Sequence, residues 1–276
     1  MPSIQPPLIS TGTLTRESLR GRVAVVSGAG EGIGYEAARA LAWLGAHVVI
    51  AEVDRRMGRK AEARIAAEMG EGITTFIQTD IGDERAVNRM TRRLETGVGK
   101  ADIIINNATV MPVGSVLDKA VQDWDRSYRV NVRGSVLLAQ AFLPGMLKRK
   151  FGAFVCIASS GTAPYMGAYG VFKTAQVELA SVLAAELQDS GVYVLTVDPG
   201  LVPTTPGASA AIAKVAPLYG KSAEEFSAMH HERVVSAEAA GVSVAVGAAL
   251  ASQFHGQRVD STQLLAAAGI SLSTDG

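Results

Sequence analysis

The residues of this chain that most directly suggest chemistry are a tyrosine and a lysine four positions apart, Tyr169 and Lys173. They lie in a segment, residues 168–187, whose apolar pattern predicts one amphipathic helix, and residues four apart share a helix face. An ammonium beside a phenol favours the phenolate, so we expect Lys173 to lower the pKa of Tyr169 from its usual value of about 10. The pair is then a candidate general acid or base. The alternative is a partly exposed amphipathic pair with no chemical role.

A glycine-rich turn near the other end of the chain suggests a binding site for a dinucleotide. It follows a short apolar run, residues 22–27, and precedes a helical pattern at 35–44, which is the order strand, turn, helix. Glycines here allow a tight bend, close approach of the backbone to a pyrophosphate and close packing of helix on strand. Amides at the helix N-terminus then face the phosphates, although a plain structural turn is the alternative. The residues that we predict to bind the cofactor in this turn are Gly28, Gly30, Glu31, Gly32, Ile33 and Gly34.

An acidic residue beyond this turn indicates which dinucleotide binds. Glu52 follows a second apolar run, at a separation from the glycines where a carboxylate can bind the ribose hydroxyls of NAD. A 2′-phosphate would meet this carboxylate, and Glu31 adds a second negative charge on the same side, so we expect NAD rather than NADP. Arg55 and Arg56 are the counterargument, because they could turn back toward a 2′-phosphate. They are as easily the solvated start of the next helix.

The elements that must position these residues alternate along the chain between apolar strand patterns and amphipathic helical patterns. The predicted strands are 23–27, 48–51, 74–78, 103–106, 153–157, 193–197 and 263–266. Such alternation predicts an α/β fold in which a parallel sheet carries helices on both faces. In such sheets ligands bind at the carboxyl ends of the strands. The residues found there, each of which could also serve only in a turn, are Asp80 with Ile81, Asn107 with Ala108, Ser159 with Ser160, and Pro199 with Gly200.

Composition excludes several other classes of function. In 276 residues, 26 Lys and Arg balance 26 Asp and Glu, so the chain lacks the basic surplus of a protein that binds nucleic acid or an anionic membrane. The single cysteine, Cys156, cannot form an internal disulfide and fits a reducing cytoplasm. Its apolar surroundings predict a packing role. His230 and His231 are adjacent and lack the ligand pattern of a metal site, so we expect no metal.

The ends of the chain show no targeting or membrane signal. Residues 1–20 contain three prolines among Ser and Thr, without the basic start and apolar core of a signal peptide, and we expect a loose N-terminal arm. Residues 271–276 form a polar tail. No apolar run reaches the roughly 20 residues that a membrane helix needs, so we expect no membrane-spanning segment.

The order of these motifs resembles the short-chain dehydrogenase/reductase family from about Gly21 to Thr204. The resemblance implies one Rossmann-type catalytic domain, residues 21–270, with a doubly wound seven-stranded sheet. It implies an oxidoreductase that interconverts a secondary alcohol and a ketone or aldehyde by hydride transfer. The catalytic tetrad that it implies is Asn131, Ser159, Tyr169 and Lys173.

Further roles follow from the same resemblance. Tyr169 exchanges the substrate proton, Ser159 hydrogen-bonds the substrate oxygen, and Asn131 holds a water that links Lys173 to solvent. Lys173 also binds the nicotinamide ribose. The remaining cofactor contacts are implied for Asp80, Ile81, Asn107, Ala108, Pro199, Gly200, Val202 and Thr204.

Two departures from the family pattern leave an alternative open. Thr109 stands where the family usually has glycine, and the loop 161–167 is shortened, which also leaves Ser160 as an alternative to Ser159. A non-catalytic dinucleotide-binding redox sensor or scaffold subunit is therefore the rival hypothesis. The complete tetrad favours the enzyme.

The sequence also gives expectations about the substrate and about the oligomeric assembly. Residues 205–231 form the predicted substrate lid, and Leu218, Tyr219, Phe226 and Met229 within it favour an apolar or alicyclic alcohol. The same residues could instead be the packed face of a helix. Helices within 123–150 and 169–188 are expected to pair across a two-fold axis, giving a homodimer or homotetramer.

Overall fold

A computed structural model describes residues 6–159, 163–229 and 234–272 of the chain. Seven parallel strands in this part of the chain form one sheet with the order β3-β2-β1-β4-β5-β6-β7. This is a Rossmann-type α/β sheet, and it confirms the predicted fold. The strands are β1 Val23–Ser27, β2 His47–Glu52, β3 Thr74–Gln78, β4 Ile103–Asn106, β5 Gly152–Ile157, β6 Val192–Asp198 and β7 Arg258–Asp260.

Helices cover both faces of the sheet. They are α1 Gly32–Trp43, α2 Arg55–Met69, α3 Glu84–Gly97, α4 Val121–Tyr128, α5 Gly134–Arg149, α6 Gly167–Glu186, α7 Pro206–Val215, α8 Ala223–Ala228, α9 Ala237–Ala249 and α10 Ser261–Ala267. A five-residue π-helical segment, Arg129–Arg133, joins α4 to α5. None of these helices is long and apolar enough to cross a membrane.

Two hydrophobic cores lie on the two faces of the sheet. Neighbouring residues of β1 belong to different cores. Val26 packs into the core under α1 and α9, and Val25 packs into the core under α3 and α5. Successive side chains of a strand point to opposite faces, so a continuous apolar run is what a strand covered on both sides requires. All five residues of β1 are buried.

The seventh predicted strand, residues 263–266, is wrong. These residues lie in α10, and the seventh strand is the shorter run Arg258–Asp260 just before it. A capping box starts the helix, because Asp260 Oδ1 accepts from Gln263 N at 2.8 Å while Asp260 N donates to Gln263 Oε1 at 3.1 Å. Leu264 and Leu265 are buried on one side of the helix, which explains the apolar run that suggested a strand.

The prediction of a loose N-terminal arm is also wrong for the part that the structure describes. Residues Leu8–Thr11 form a short 3₁₀ helix whose Ile9 is fully buried in the core. The amide and the hydroxyl of Thr13 both donate to the carbonyl of Ala268, at 2.8 and 3.1 Å. This segment is therefore held by α9 and α10, through contacts between distant parts of the chain that local composition does not reveal.

Candidate active site

A cavity of about 580 Å³ opens at the carboxyl ends of the sheet strands and gathers most of the predicted site. This is where parallel α/β sheets place their ligands. The predicted residues that line it are Gly28, Glu31, Gly32, Ile33, Gly34, Glu52, Asp80, Ile81, Asn107, Ala108, Ser159, Tyr169, Lys173, Pro199, Gly200 and Val202. The predicted residues Gly30, Asn131 and Thr204 do not line the cavity.

The glycine turn occupies one end of the cavity and is braced by Asn107. The Nδ2 group of Asn107 donates to the carbonyls of Ser27, at 2.9 Å, and Gly28, at 3.1 Å. Gly28 has a φ of +65°, which favours glycine, and a Cβ on Gly34 would lie 2.3 Å from the carbonyl oxygen of Gly28. Glycine is therefore required where the helix packs closely on the turn, and the N-terminus of α1 faces the cavity as a phosphate site requires.

Glu52 is oriented by two backbone amides beside the glycine turn. Its Oε2 accepts from the amide of Gly30 at 3.2 Å, and its Oε1 accepts from the amide of Asp54 at 3.0 Å. Gly30 thus contributes to the site by holding Glu52. Arg55 and Arg56 are exposed at the start of α2 and do not line the cavity.

Asp80, one of the predicted cofactor contacts, forms an ion pair with Arg129, which is not among the predicted site residues. The Oδ2 of Asp80 lies 3.1 Å from Nη1 of Arg129, and its Oδ1 accepts from the amide of Gly82 at 2.9 Å. Arg129 itself lines the cavity. A positive charge is therefore present beside this carboxylate.

Asn131 is buried in the π-helical segment and holds the neighbouring loop in place. Its Oδ1 accepts from the hydroxyl of Thr109 at 2.8 Å and from the amide of Val110 at 3.1 Å. Its Nδ2 donates to the carbonyl of Val110 and the hydroxyl of Ser127, both at 2.9 Å. Two donors and two acceptor sites are thereby used. The side chain of Asn131 is thus saturated by protein groups, and the expectation that Asn131 holds a water stays a prediction.

Tyr169 and Ser159 face each other in the cavity. Ser159 follows the end of β5, Tyr169 lies in the first turn of α6, and both line the cavity. Burial raises the pKa of Tyr169 above its ordinary value. The nearby Ser159 hydroxyl opposes this rise in pKa, and the negative charge of Asp198 adds to it. Ser160, the alternative to Ser159, lies outside the described residues.

The predicted lowering of the Tyr169 pKa by Lys173 is wrong for this structure. The Lys173 side chain is buried, at 3% exposure, and its Nζ donates to the carbonyl of Ile157 and to Oε1 of Gln176. Burial lowers the pKa of Lys173 to about 8, and the neighbouring Cys156 thiol opposes this. Burial is the largest influence on the pKa of the Tyr169 phenol. The two hydrogen bonds that the Lys173 ammonium donates within the described residues go to Ile157 and Gln176 and not to the phenol.

The predicted lid separates into residues that face the cavity and residues that do not. Phe226 lines the cavity, and Tyr219 packs edge-on against it with ring centroids 5.2 Å apart. Leu218 and Met229 are 44% and 50% exposed and do not line it. Thr204 is exposed, whereas Thr205 lines the cavity and caps the N-terminus of α7. Of the named lid residues only Phe226 lines the cavity among the described residues, and at the predicted cofactor position Thr204 it is the next residue, Thr205, that does so.

Comparison with known proteins identifies the family. The family model for short chain dehydrogenases matches residues 22–214. The chain belongs to the short-chain dehydrogenase/reductase family. Over 203 residues it is 36% identical to dehydrogenase/reductase SDR family member 4 of Bos taurus, covering 72% of each chain. It is also 36% identical to a meso-2,3-butanediol dehydrogenase of Serratia marcescens over 186 residues, which cover 66% of this chain and 72% of that protein.

Solved structures of short-chain dehydrogenases/reductases share the same fold. A 3-ketoacyl-(acyl-carrier-protein) reductase of Brucella melitensis, complexed with NADH, matches with a TM-score of 0.74 and 25% identity over 88% of this chain and 97% of that one. An L-sorbose reductase of Gluconobacter frateurii, complexed with NADPH and L-sorbose, matches with a TM-score of 0.78 and 25% identity over 88% and 95%. The family resemblance is thereby confirmed, and it includes proteins in complex with either cofactor.

Several residues of this short-chain dehydrogenase/reductase site were not identified from the sequence. Gln176 contacts Lys173. The sequence could have indicated this contact, because Gln176 lies three positions after Lys173 on the same helix. Arg129 gave no such signal, because its carboxylate partner is distant in the chain. The apolar lining residues that were not predicted include Met111, Ala163, Met166, Ala211, Ile212 and Val215.

Proposed function

We propose that this protein is an NAD(H)-dependent oxidoreductase that interconverts a secondary alcohol and a ketone. The observation that carries the proposal is that Ser159, Tyr169 and Lys173 line the same cavity, which also holds the glycine turn. A protein that only binds a dinucleotide has no need of a serine, a tyrosine and a lysine converging on one point. This favours the enzyme over the sensor or scaffold.

The residues present fit a nicotinamide dinucleotide. The glycine turn at the N-terminus of α1 suits the pyrophosphate, and Glu52 presents a carboxylate oriented by backbone amides where ribose hydroxyls would lie. When bound, the nicotinamide exchanges the hydride, and its oxidised form carries a positive charge that favours the phenolate of Tyr169.

Each polar residue then has a separate task. In alcohol oxidation, Tyr169 accepts the hydroxyl proton as the carbon loses hydride, and in ketone reduction it returns that proton. Ser159 donates a hydrogen bond to the substrate oxygen and steadies the charge that develops there. Lys173 holds a positive charge beside the reacting groups. Asn131 keeps the loop 109–110 in place and so shapes the wall of the cavity.

NAD is the proposed cofactor because the ribose end of the cavity is negative. Glu52 and Glu31 both line it, and no arginine of α2 does so. A 2′-phosphate on the adenine ribose would be repelled by these carboxylates, whereas two hydroxyls can donate hydrogen bonds to Glu52.

An apolar or alicyclic alcohol is the proposed substrate class. Beyond Tyr169 the cavity is lined by methionine and aliphatic side chains and by Phe226, and its exposed surface is mainly apolar. Apolar pockets with a few convergent polar groups orient small substrates through those groups.

The proposal is tested by turnover. Purified protein is incubated with NADH or NAD and a panel of secondary alcohols and ketones that spans linear, alicyclic and steroid compounds and sugars, and NADH absorbance is followed. Turnover of at least one apolar pair, lost in Tyr169→Phe, supports the proposal. Tight NADH binding with no turnover across the panel supports the sensor or scaffold instead.

A further inference from the structure

The ammonium of Lys173 donates a hydrogen bond to the side chain of Gln176, and Gln176 belongs to a buried polar network. The network joins α6 to α5 and to the end of β4. Its members, all at most 3% exposed, are Lys173, Gln176, Ser135, Asn106 and Cys156. Buried polar side chains of this kind persist where each one has a partner.

The bonding around Ser135 determines which way Gln176 points. The hydroxyl of Ser135 donates its single proton to the carbonyl of Asn131 at 3.0 Å. It can therefore only accept from its other neighbours, which are Nδ2 of Asn106 at 2.8 Å and Nε2 of Gln176 at 2.9 Å. With its amide nitrogen committed to Ser135, Gln176 must present its carbonyl oxygen to Lys173.

The geometry also leaves Lys173 one donor for the cavity. An ammonium has three N–H donors, and within the described residues two of them go to the carbonyl of Ile157 and Oε1 of Gln176. Lys173 lines the cavity. A buried charge without acceptors is costly, so the oxygen of Gln176 offsets part of the cost of burying this ammonium.

We propose that Gln176 is a positioning residue that keeps Lys173 protonated and directs its remaining N–H into the cavity. This inference rests on the proposed function, because it concerns how Lys173 meets the cofactor ribose.

The groups that could titrate near Lys173 can be named from each neighbouring element. They are Cys156 from β5, Tyr169 from α6 itself, and Asp198, paired with Arg258, at the end of β6. Ser135 of α5 and Asn106 of β4 are neutral. A Tyr169→Phe background removes the phenol, so the phenol cannot titrate. Variants at Gln176 made in this background leave Cys156 and Asp198 unchanged.

The experiment measures NADH dissociation constants by NADH fluorescence between pH 6 and 10 in the Tyr169→Phe protein. Affinity in this parent should fall as Lys173 loses its proton. Gln176→Met removes the acceptor at similar size and should move that fall to lower pH by about one unit, whereas Gln176→Glu adds an opposite charge and should move it to higher pH by about one unit or more. Gln188→Glu adds the same charge at an exposed site near the end of α6 and should match the parent.

Opposite shifts in the two Gln176 variants support the proposal, because a merely structural role would not reverse sign with the charge of the substituent. Shifts in the same direction, or midpoints equal to that of the parent, overturn it. If circular dichroism shows that Gln176→Met does not fold, Gln176→Asn, whose amide is one methylene shorter, replaces it. A parent that binds no NADH at any pH refutes the proposed function and the inference with it, whereas pH-dependent binding without opposite shifts refutes the role of Gln176 alone.

Discussion

The hydroxyl of Thr109 donates a hydrogen bond of 2.8 Å to Oδ1 of Asn131, two residues that are far apart in the sequence. Thr109 stands where short-chain dehydrogenases/reductases usually have glycine, and among the described residues it is not one of those with a positive φ. The β-branched side chain is therefore accepted without backbone strain, and its hydroxyl adds a contact that glycine could not make. Thr109 is thus no argument against catalysis.

Thr109→Val should destabilise the protein by roughly 0.5–1.5 kcal/mol, because it removes this hydrogen bond at nearly constant volume. The cost should be modest, since the amide of Val110 still donates to the same oxygen. Urea unfolding followed by circular dichroism gives the free energy of unfolding. Thr91→Val, on α3 and far from Asn131, is the control, and an equal or larger loss there would contradict the assignment.

Tyr169→Phe should lower turnover by a factor of about 10² to 10⁴ or more, because it deletes the proton-transfer group. NADH affinity should change little, which fluorescence titration measures. Retention of most of the wild-type rate would remove Tyr169 from the mechanism.

Ser159→Ala should cost less than Tyr169→Phe and more than Ser160→Ala. Ser159 lines the cavity together with Tyr169, and it is the proposed donor to the substrate oxygen. Steady-state rates for the three variants, measured with one ketone, give the order. If Ser160→Ala is the more damaging of the two serine variants, the role belongs to Ser160.

Glu52 should give at least about a tenfold preference in kcat/KM for NAD over NADP, which corresponds to about 1.4 kcal/mol of repulsion. Glu52→Ser should narrow the gap, because it removes the carboxylate that Gly30 and Asp54 orient. Arg55→Ala and Arg56→Ala serve as controls and should leave the ratio unchanged. A wild-type preference for NADP would mean that one of these arginines reaches the phosphate.

Asp198→Asn should move the pH dependence of alcohol oxidation to lower pH. Asp198 raises the pKa of Tyr169 through its negative charge, and oxidation requires the phenolate as base. Removing the charge lowers that pKa, so the base form appears at lower pH and the rise of kcat follows it. Asp189→Asn, at an exposed turn, is the matched control; an unchanged or opposite shift in Asp198→Asn would contradict the electrostatic role.

The exposed side of α6 should form part of a two-fold interface. Val171 and Val182 are 55% and 45% exposed on this helix, and a lone subunit would leave this apolar surface in water. Light scattering at micromolar concentration should give two or four times the 28.7 kDa mass of one chain. Leu179→Arg or Val182→Arg should then dissociate the oligomer, while Glu95→Arg on α3 should not. A wild-type mass of one chain would contradict the proposal.

The sequence by itself determined the sheet and the main chemical groups. The strands β1, β3 and β4 have the predicted bounds, because short runs rich in β-branched residues and bounded by turn residues are typical of strands, whether central like β1 and β4 or at the edge like β3. The glycine turn and the pair of Tyr169 and Lys173 were equally visible, since their function depends on spacing within one strand-turn-helix unit or one helix.

Only the tertiary structure determined the pKa values and the hydrogen-bond partners of the site residues. The pKa of Tyr169 depends on burial and on Asp198, and the saturation of Asn131 depends on Thr109, Val110 and Ser127. Such contacts join β6 to α6 and the loop after β4 to the π-helical segment. Desolvation and hydrogen bonding between distant segments depend on how the segments pack. The residue pattern along one strand or helix does not show which segments pack against it.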